Sequence, residues 1–468
     1  MRAKAGDAPR TMAQKIVVSR AGGGGVSERD SRDVELAVDQ IALAARPDLV
    51  RALVRSEGGV PRRSAVEAVV VYEPWSVGVA GDADPRAAAI EWLGLGAQVA
   101  RAGVGFAGPV HLERFASPAR LVVTDDPRLA CIGGVGALAL VLPPEALAAS
   151  IVEGRIRTRA PRSVHVVLTG RTRPFVGAND VALELLRRGV ADVVRKTAAE
   201  HGGAPVVLEF GGASTRLLSV GDRAVLCGAA RSLGAAGALF ASDERTEVFL
   251  RDQRRSKAHR TLVPDPGAPF DEVIAIDLAA VDPLLLDDKG TVRAVRDYQG
   301  RRVSQVILGA GGVTLRDLLS VAALLKSKRC PPAVDLLVAV PTRQMLEVLA
   351  TEGALADLIA TGARFVEPDR RILEGTLYAP LAAGESVRTA PVDEGLPRRP
   401  VIVSAETLAF AAATGEIADP RGFKRPVRVS VPRVLPTDDV LVVRDKKALD
   451  ALTRASIPRD TPSRRALR

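Results

Sequence analysis

At 468 residues and 47% hydrophobic, the chain is too long for one compact core and too apolar to stay disordered, so roughly two to four globular domains are expected. A formal net charge of +10, carried mainly by arginines spread along the chain, suits a solvated surface that attracts anions without selecting among them. No aromatic-interleaved basic motif or zinc-finger spacing supports nucleic-acid binding, and the longest apolar run, Gly133 to Leu142, stops at Pro143-Pro144 well short of a membrane span.

The first 25 residues read as a flexible, basic, glycine-rich leader with no apolar h-region, and Met12 competes with Met1 as the start. From Val34 onward short β-branched runs alternate with longer helical patterns. Strands are expected at Ala68–Tyr72, Arg120–Thr124 and Ser163–Thr169, and a helix at Asn179–Arg188. The rhythm resumes with strands at Val206–Phe210, Glu272–Leu278, Val303–Leu308, Asp335–Val340 and Pro400–Ser404, and helices at Leu315–Lys326 and Thr342–Thr351. Such alternation is the mark of crossover βαβ units, so the fold class is α/β with doubly wound, mostly parallel sheets. Arg251–Pro269 and Glu385–Pro400, rich in charge and proline, read as loops or hinges, and the basic stretch after Pro420 reads as an extended tail.

The cysteines, Cys131, Cys227 and Cys330, are too few and too dispersed for a disulfide framework or a metal knuckle, and a reducing cytoplasm is the expected location. Cys131 reads as a small side chain beside a glycine turn, since no histidine lies near it in sequence. Cys330 follows Lys326-Ser327-Lys328-Arg329, whose charge could lower a thiol pKa. Gly22 to Gly25 and Gly309 to Gly312 read as tight turns, because no phosphate-loop spacing follows either.

Val110-His111-Leu112-Glu113-Arg114-Phe115, then an acidic turn, then Gly133-Gly134-Val135-Gly136, resembles the first substrate loop of the aconitase and isopropylmalate dehydratase family. Val166 to Leu186 is similar to that family's V-x-L-T-G stretch, and further matches follow in order. They are Glu209-Phe210-Gly211-Gly212, Phe240 to Thr246, Ile276-Asp277-Leu278, Thr342-Arg343-Gln344, Gly362-Ala363-Arg364 and Thr414 to Arg421. The resemblance implies aconitase-type α/β/α domains around one cleft, at 26–160, 161–290 and 291–425, with a basic tail at 426–468 and no swivelling domain.

Members of that family use a 4Fe-4S cluster, held by cysteine thiolates, as a Lewis acid. The resemblance places Gly311, Arg370 and Leu373 at the cluster-cysteine positions, so no cofactor and no catalytic residue is expected. The family's D-S-H-T reads Asp126-Pro127-Arg128-Leu129, and its acid-base histidine is an arginine. Its Q-D pair falls on Ala44-Ala45, its D-H-N turn near Pro74-Trp75-Ser76, an expected glutamate on Ser232, and its arginine-bearing N-R-N-F-x-G-R run near Pro391 to Pro397. None of His111, His165, His201 or His259 stands at a family catalytic position.

Asp126 keeps the family's aspartate, and Arg128, Arg370 and Arg371 replace residues that face one cavity in the family, so these four are the candidate substrate-binding residues. The arginines either form an anion site for a carboxylate metabolite or pair with Asp126, Glu367 and Asp369 to fill the vacated space. Asp125-Asp126 reads as a salt-bridged turn in preference to an acid pair aimed at the cleft. Three functions remain open. One is a non-catalytic homolog binding an anionic metabolite or a protein; the others are a hydro-lyase or isomerase completed by a separate swivel-type small subunit, and a scaffold attached through its basic tail.

Overall fold

Short runs of Val, Ile, Leu and Ala form strands buried on both faces, as parallel sheets require. The computed structural model describes residues 8–21, 33–56, 66–73, 85–381, 383–390, 398–437, 440–444, 447–448, 450–451 and 454. In the first sheet the spatial order is Val442–Val443, Gln98–Ala100, Ala68–Tyr72, Gln40–Leu43, Leu121–Thr124 and Leu138–Val141. All its neighbours run parallel except the Val442–Val443 edge. The second sheet, Gly237–Phe240, Val206–Gly211, Arg162–Thr169 and Glu272–Asp277, is wholly parallel. The third has a parallel block in the order Val401–Val403, Glu385–Arg388, Arg301–Gly309, Asp335–Ala339 and Arg364–Phe365. Antiparallel Leu284–Leu286 and Val292–Ala294 extend it on one side. The expected α/β class with mostly parallel sheets is what the chain adopts.

Each sheet winds outward, then returns to the far side of its first strand. In the first sheet the chain runs from Gln40–Leu43 through Ala68–Tyr72 to Gln98–Ala100, then comes back to Leu121–Thr124. In the third it leaves Arg301–Gly309 for Asp335–Ala339 and Arg364–Phe365, then comes back to Glu385–Arg388. The carboxyl ends of the strands flanking such a reversal open a crevice, the usual ligand position in open α/β sheets. Here the two crevices are lined by Ala44 with Asp125-Asp126, and by Gly309–Gly312 with Thr389-Ala390.

Three segments differ from the sequence expectation. Within the supposed leader, Met12–Arg20 is an α-helix with a Thr11/Gln14 capping box, and Met12, Ala13, Ile16 and Val17 are buried in the first sheet's core. Its amide N–H groups donate to the Glu209 carboxylate of the second sheet, Met12 at 2.8 Å and Ala13 at 3.0 Å. An acid supplied from elsewhere in the chain thus satisfies donors that a helix start leaves open. Glu385–Arg388, expected as a hinge, is a buried strand, because its charged residues are paired: Glu385 with Arg301 and Arg398, and Arg388 with backbone carbonyls. The supposed tail returns to the fold. Val427 and Val429 pack on the third sheet's core, Leu435 is buried, and Val442–Val443 pairs with Val99–Ala100. The Gly22–Gly25 turn, the Pro74-Trp75-Ser76 turn and the Pro391–Pro397 run lie outside the described residues. No helix among the described residues is long and apolar enough to cross a membrane.

The first and second sheets meet where the 3-10 segment Pro127–Val135 lies against the helix Val220–Gly228 and the strand Gly237–Phe240. A Cβ on Gly133 would fall 1.8 Å from the Ala238 carbonyl oxygen, so only glycine permits this approach.

Candidate functional site

The residues gathered around the first and third crevices come from distant segments, and Asp126 and Arg370, 244 positions apart, form an ion-paired bridge between them. Asp126 caps the Pro127–Val135 segment by accepting from the Arg128 N–H at 3.0 Å, and the Arg128 guanidinium contacts the same oxygen at 3.3 Å. Arg370, from the short helix Arg370–Glu374, donates Nη1 to the other Asp126 oxygen and Nε to Glu374 at 2.9 Å. The same Nη1 lies 3.4 Å from the carbonyl oxygen of Ala44, while Arg128 Nη2 donates to the Leu373 carbonyl at 3.3 Å. Asp126 is 2% exposed; burial alone would raise its pKa, but Arg128 and Arg370 hold it below the ordinary carboxylate value. Burial pushes Arg370 the other way, and the Asp126 and Glu374 charges outweigh it and keep the guanidinium protonated.

The candidates therefore converge, in part. Ala44, Asp126, Arg128, Arg370 and Leu373 touch as a set. Arg371 does not join them: it forks onto Asp369, with Nε at 3.0 Å and Nη2 at 2.7 Å. Of the two arrangements open from sequence, pairing is the one present, with Glu374 in the place expected for Glu367. Asp125 points away from Asp126 and binds the Ala44 and Arg46 amides at 2.7 and 2.6 Å, so the two acids form a turn.

Gly309 to Gly312 closes the third sheet's crevice. Gly309 has φ 101°, and a Cβ there would fall 1.9 Å from the Ala339 carbonyl oxygen. Thr389 clamps the turn, its hydroxyl shared between the carbonyls of Gly309 and Gly311 at 2.9 and 2.8 Å, and Asn179 donates to the carbonyls of Thr389 at 3.1 Å and Val403 at 2.8 Å. Leu373 sits in a small apolar cluster with Phe106, Ile307 and Ala310. Arg388, beneath it, donates Nη1 to the Ile372 carbonyl at 3.1 Å and Nη2 to that of Tyr378, and burial lowers its pKa to about 10. Arg388 and Thr389 hold the site's backbone, yet the sequence reading put them in a loop. Their only signal was the short Ser386-Val387 run inside a charged stretch.

A 4Fe-4S cluster needs thiolates, and the positions in question present a bare backbone at Gly311, a guanidinium at Arg370 and an isobutyl group at Leu373. Cys131 faces the same cleft, but burial and the Asp126 charge push its thiol up to about 12. Burial raises Cys330 to about 11, against the lowering its basic neighbours suggested, and burial also raises Cys227. Among the described residues no group of three or more His, Cys, Asp or Glu is placed to hold a metal ion. The residues present do not fit the cluster.

His111 is a core histidine. It is fully buried, with Nδ1 2.9 Å from the Tyr72 hydroxyl and Nε2 3.1 Å from Gln40 Oε1, and burial, with the nearby Arg255 charge, lowers its pKa to about 3. A neutral imidazole tied at both nitrogens has no proton to exchange with the cleft.

Above the bridge lies a cleft of about 690 Å³ bounded by all three sheet units and by the Val429–Pro432 segment. Asp126, Arg128, Ser232, Gly311, Leu373 and Thr389 line it, and most of the remaining lining is apolar.

Comparison with known proteins agrees with this architecture. Residues 88–289 match the model of the aconitase family (aconitate hydratase). The chain is 28% identical over 340 residues to the 3-isopropylmalate dehydratase large subunit 1 of Thermotoga maritima, covering 70% of this chain and 79% of the relative. It is 27% identical over 447 residues to the large subunit 2 of Rubrobacter xylanophilus, covering 90% and 100%, and 28% identical over 385 residues to the large subunit 1 of Deinococcus radiodurans, covering 81% and 84%. With a fold of doubly wound parallel sheets meeting at one cleft, the ordered motifs and these matches support membership of the aconitase and 3-isopropylmalate dehydratase large-subunit family.

Proposed function

We propose that this chain is a non-catalytic member of its family, which needs no cofactor and uses the cleft to bind a ligand rather than to dehydrate one. The observation that carries the reading is the Arg370–Asp126–Arg128 bridge. A guanidinium stands at a position where the family places a thiolate, and it consumes the one carboxylate left from the family's acidic loop. With the acid-base histidine replaced by Arg128 and no thiolate at Gly311 or Leu373, the described lining keeps neither the family's Lewis-acid ligands nor its acid-base histidine, and its carboxylates Asp126, Asp252 and Glu113 are engaged by other groups. The cytoplasm remains the proposed location.

The test is iron and acid-labile sulfide content of anaerobically purified protein, with turnover assays on 3-isopropylmalate, citrate and isocitrate. We expect neither cluster nor turnover. Stoichiometric iron and sulfide, or turnover, overturns the reading. A second reading, favoured by relatives that are named large subunits, is a hydro-lyase active only with a separate small subunit. Repeating the assays with the small subunit of Thermotoga maritima 3-isopropylmalate dehydratase separates the two, since turnover that appears only then supports the second.

A further inference from the structure

We infer that the cleft is built for an amphiphilic anion, an extended apolar body carrying one carboxylate or sulfonate, rather than for a compact polycarboxylate. The inference rests on the ligand-binding reading above. The walls are apolar on several sides: Leu183, Leu186 and Leu217 from the second sheet unit, Leu286 and Ile402 from the third, and Val431 from the C-terminal segment. Such walls offer no partners to the several hydroxyl and carboxylate groups of a small hydrophilic acid, which would lose water unmatched. An aliphatic or aromatic body gains from the same walls, by roughly fourfold in affinity for each methylene buried. The volume, about 690 Å³, is that of a site for a ligand with many heavy atoms.

Charge decides where the head group goes. The acids lining the cleft are already engaged: Asp126 with Arg128 and Arg370, Asp252 with Arg251, and Glu113 with the Thr342 hydroxyl at 3.0 Å. Two lining guanidiniums are less committed. Arg316, in the first turn of the helix Leu315–Leu325, is exposed and makes no ion pair or hydrogen bond among the described residues. Arg245 is exposed and donates its Nε to the Arg216 carbonyl at 3.0 Å, with no carboxylate partner among the described residues. Apolar walls bearing unmatched cations are complementary to an apolar body with an anionic end.

The experiment is fluorescence titration of the full-length protein with 1-anilinonaphthalene-8-sulfonate, followed by displacement with hexanoate, octanoate, decanoate, citrate and 3-isopropylmalate. We expect one saturable site, displacement strengthening roughly fourfold per methylene along the alkyl series, and citrate and 3-isopropylmalate weaker than octanoate. Arg316→Gln, an exposed change that leaves the fold intact, should weaken octanoate about tenfold and reduce the salt dependence. Leu186→Glu, checked for folding by circular dichroism, should abolish dye binding. Citrate or 3-isopropylmalate displacing the dye as well as octanoate overturns the inference, and so does dye binding that neither variant changes. Turnover in the preceding assays would instead sink the non-catalytic reading, whatever this ranking shows.

Discussion

Asp126 is the residue on which the site's geometry turns, because it pairs with two guanidiniums in a place almost without solvent, one of which also pairs with Glu374. Removing one partner of such a buried group leaves uncompensated charge, which is far more costly than removing the whole set. We predict that Asp126→Ala lowers unfolding free energy by about 3 kcal/mol in urea titrations. The double replacement Asp126→Leu with Arg370→Leu should recover most of that loss. A double variant as unstable as the single one would mean that the bridge adds stability beyond charge balance. The pH dependence has a definite sign. Asp126 is held below its ordinary value when folded, so its contribution is full above the ordinary carboxylate pKa and is lost as pH falls through the folded one.

Among the elements, the helix Met12–Arg20 depends on tertiary contacts with both the first and the second sheet. It has no acid in its first turn; Thr11 caps the Gln14 amide, and the Met12 and Ala13 amides are satisfied by Glu209, which is fully buried and also accepts from Ser163 Oγ at 2.8 Å. Burial raises the Glu209 pKa, and four hydrogen-bond donors oppose that shift. Glu209→Ala should therefore detach this helix before it disturbs the second sheet. Hydrogen exchange would show protection lost at Met12–Arg20 and kept at Val206–Phe210, and trypsin would cut at Lys15 or Arg20 much faster than in the parent protein. Unchanged protection of the helix would mean that the apolar contacts of Met12, Ile16 and Val17 hold it without the carboxylate.

At the scale of the whole molecule, the second and third sheet units meet through four helix N-termini that bring acids together. Asp180, Asp222, Asp317 and Glu406 belong to the first turns of Ala178–Arg187, Val220–Gly228, Leu315–Leu325 and Ala405–Thr414. Asp180 accepts from the Gly177 and Leu284 amides at 2.9 and 2.8 Å, while Glu406 Oε2 is buried without a hydrogen-bond partner among the described residues. Burial, then mutual repulsion, raises Asp317 to about 8 and Asp180 and Glu406 to about 7. The folded protein thus keeps protons that the unfolded chain releases near the ordinary carboxylate pKa. Their stabilising effect is full below that value and is lost as pH rises through about 7 to 8. We predict a Tm that falls between about pH 6 and pH 9, with Glu406→Gln flattening the fall and gaining about 1 kcal/mol at the alkaline end. An alkaline plateau in the parent protein would show that the four acids are solvated at their junction.

Much of this was legible in the chain itself. Runs such as Ala68–Tyr72 and Val206–Phe210 read as strands because a sheet covered on both faces needs continuous apolar sequence, and the strand–helix alternation then requires parallel order. The ordered motifs pointed to the family, and they located Gly311, Arg370 and Leu373 before any contact was known. Four things depended on contacts between distant segments. Arg370 and Arg128 turned out to share one carboxylate, Arg371 turned to Asp369, the leader became a helix docked on Glu209, and the supposed tail became a cleft wall and a sheet edge. Local patterning reports which face of a segment is apolar, and so it sets strands and helices. Which charge meets which is decided by burial and by distances between chain segments, and these exist only once the sheets have packed.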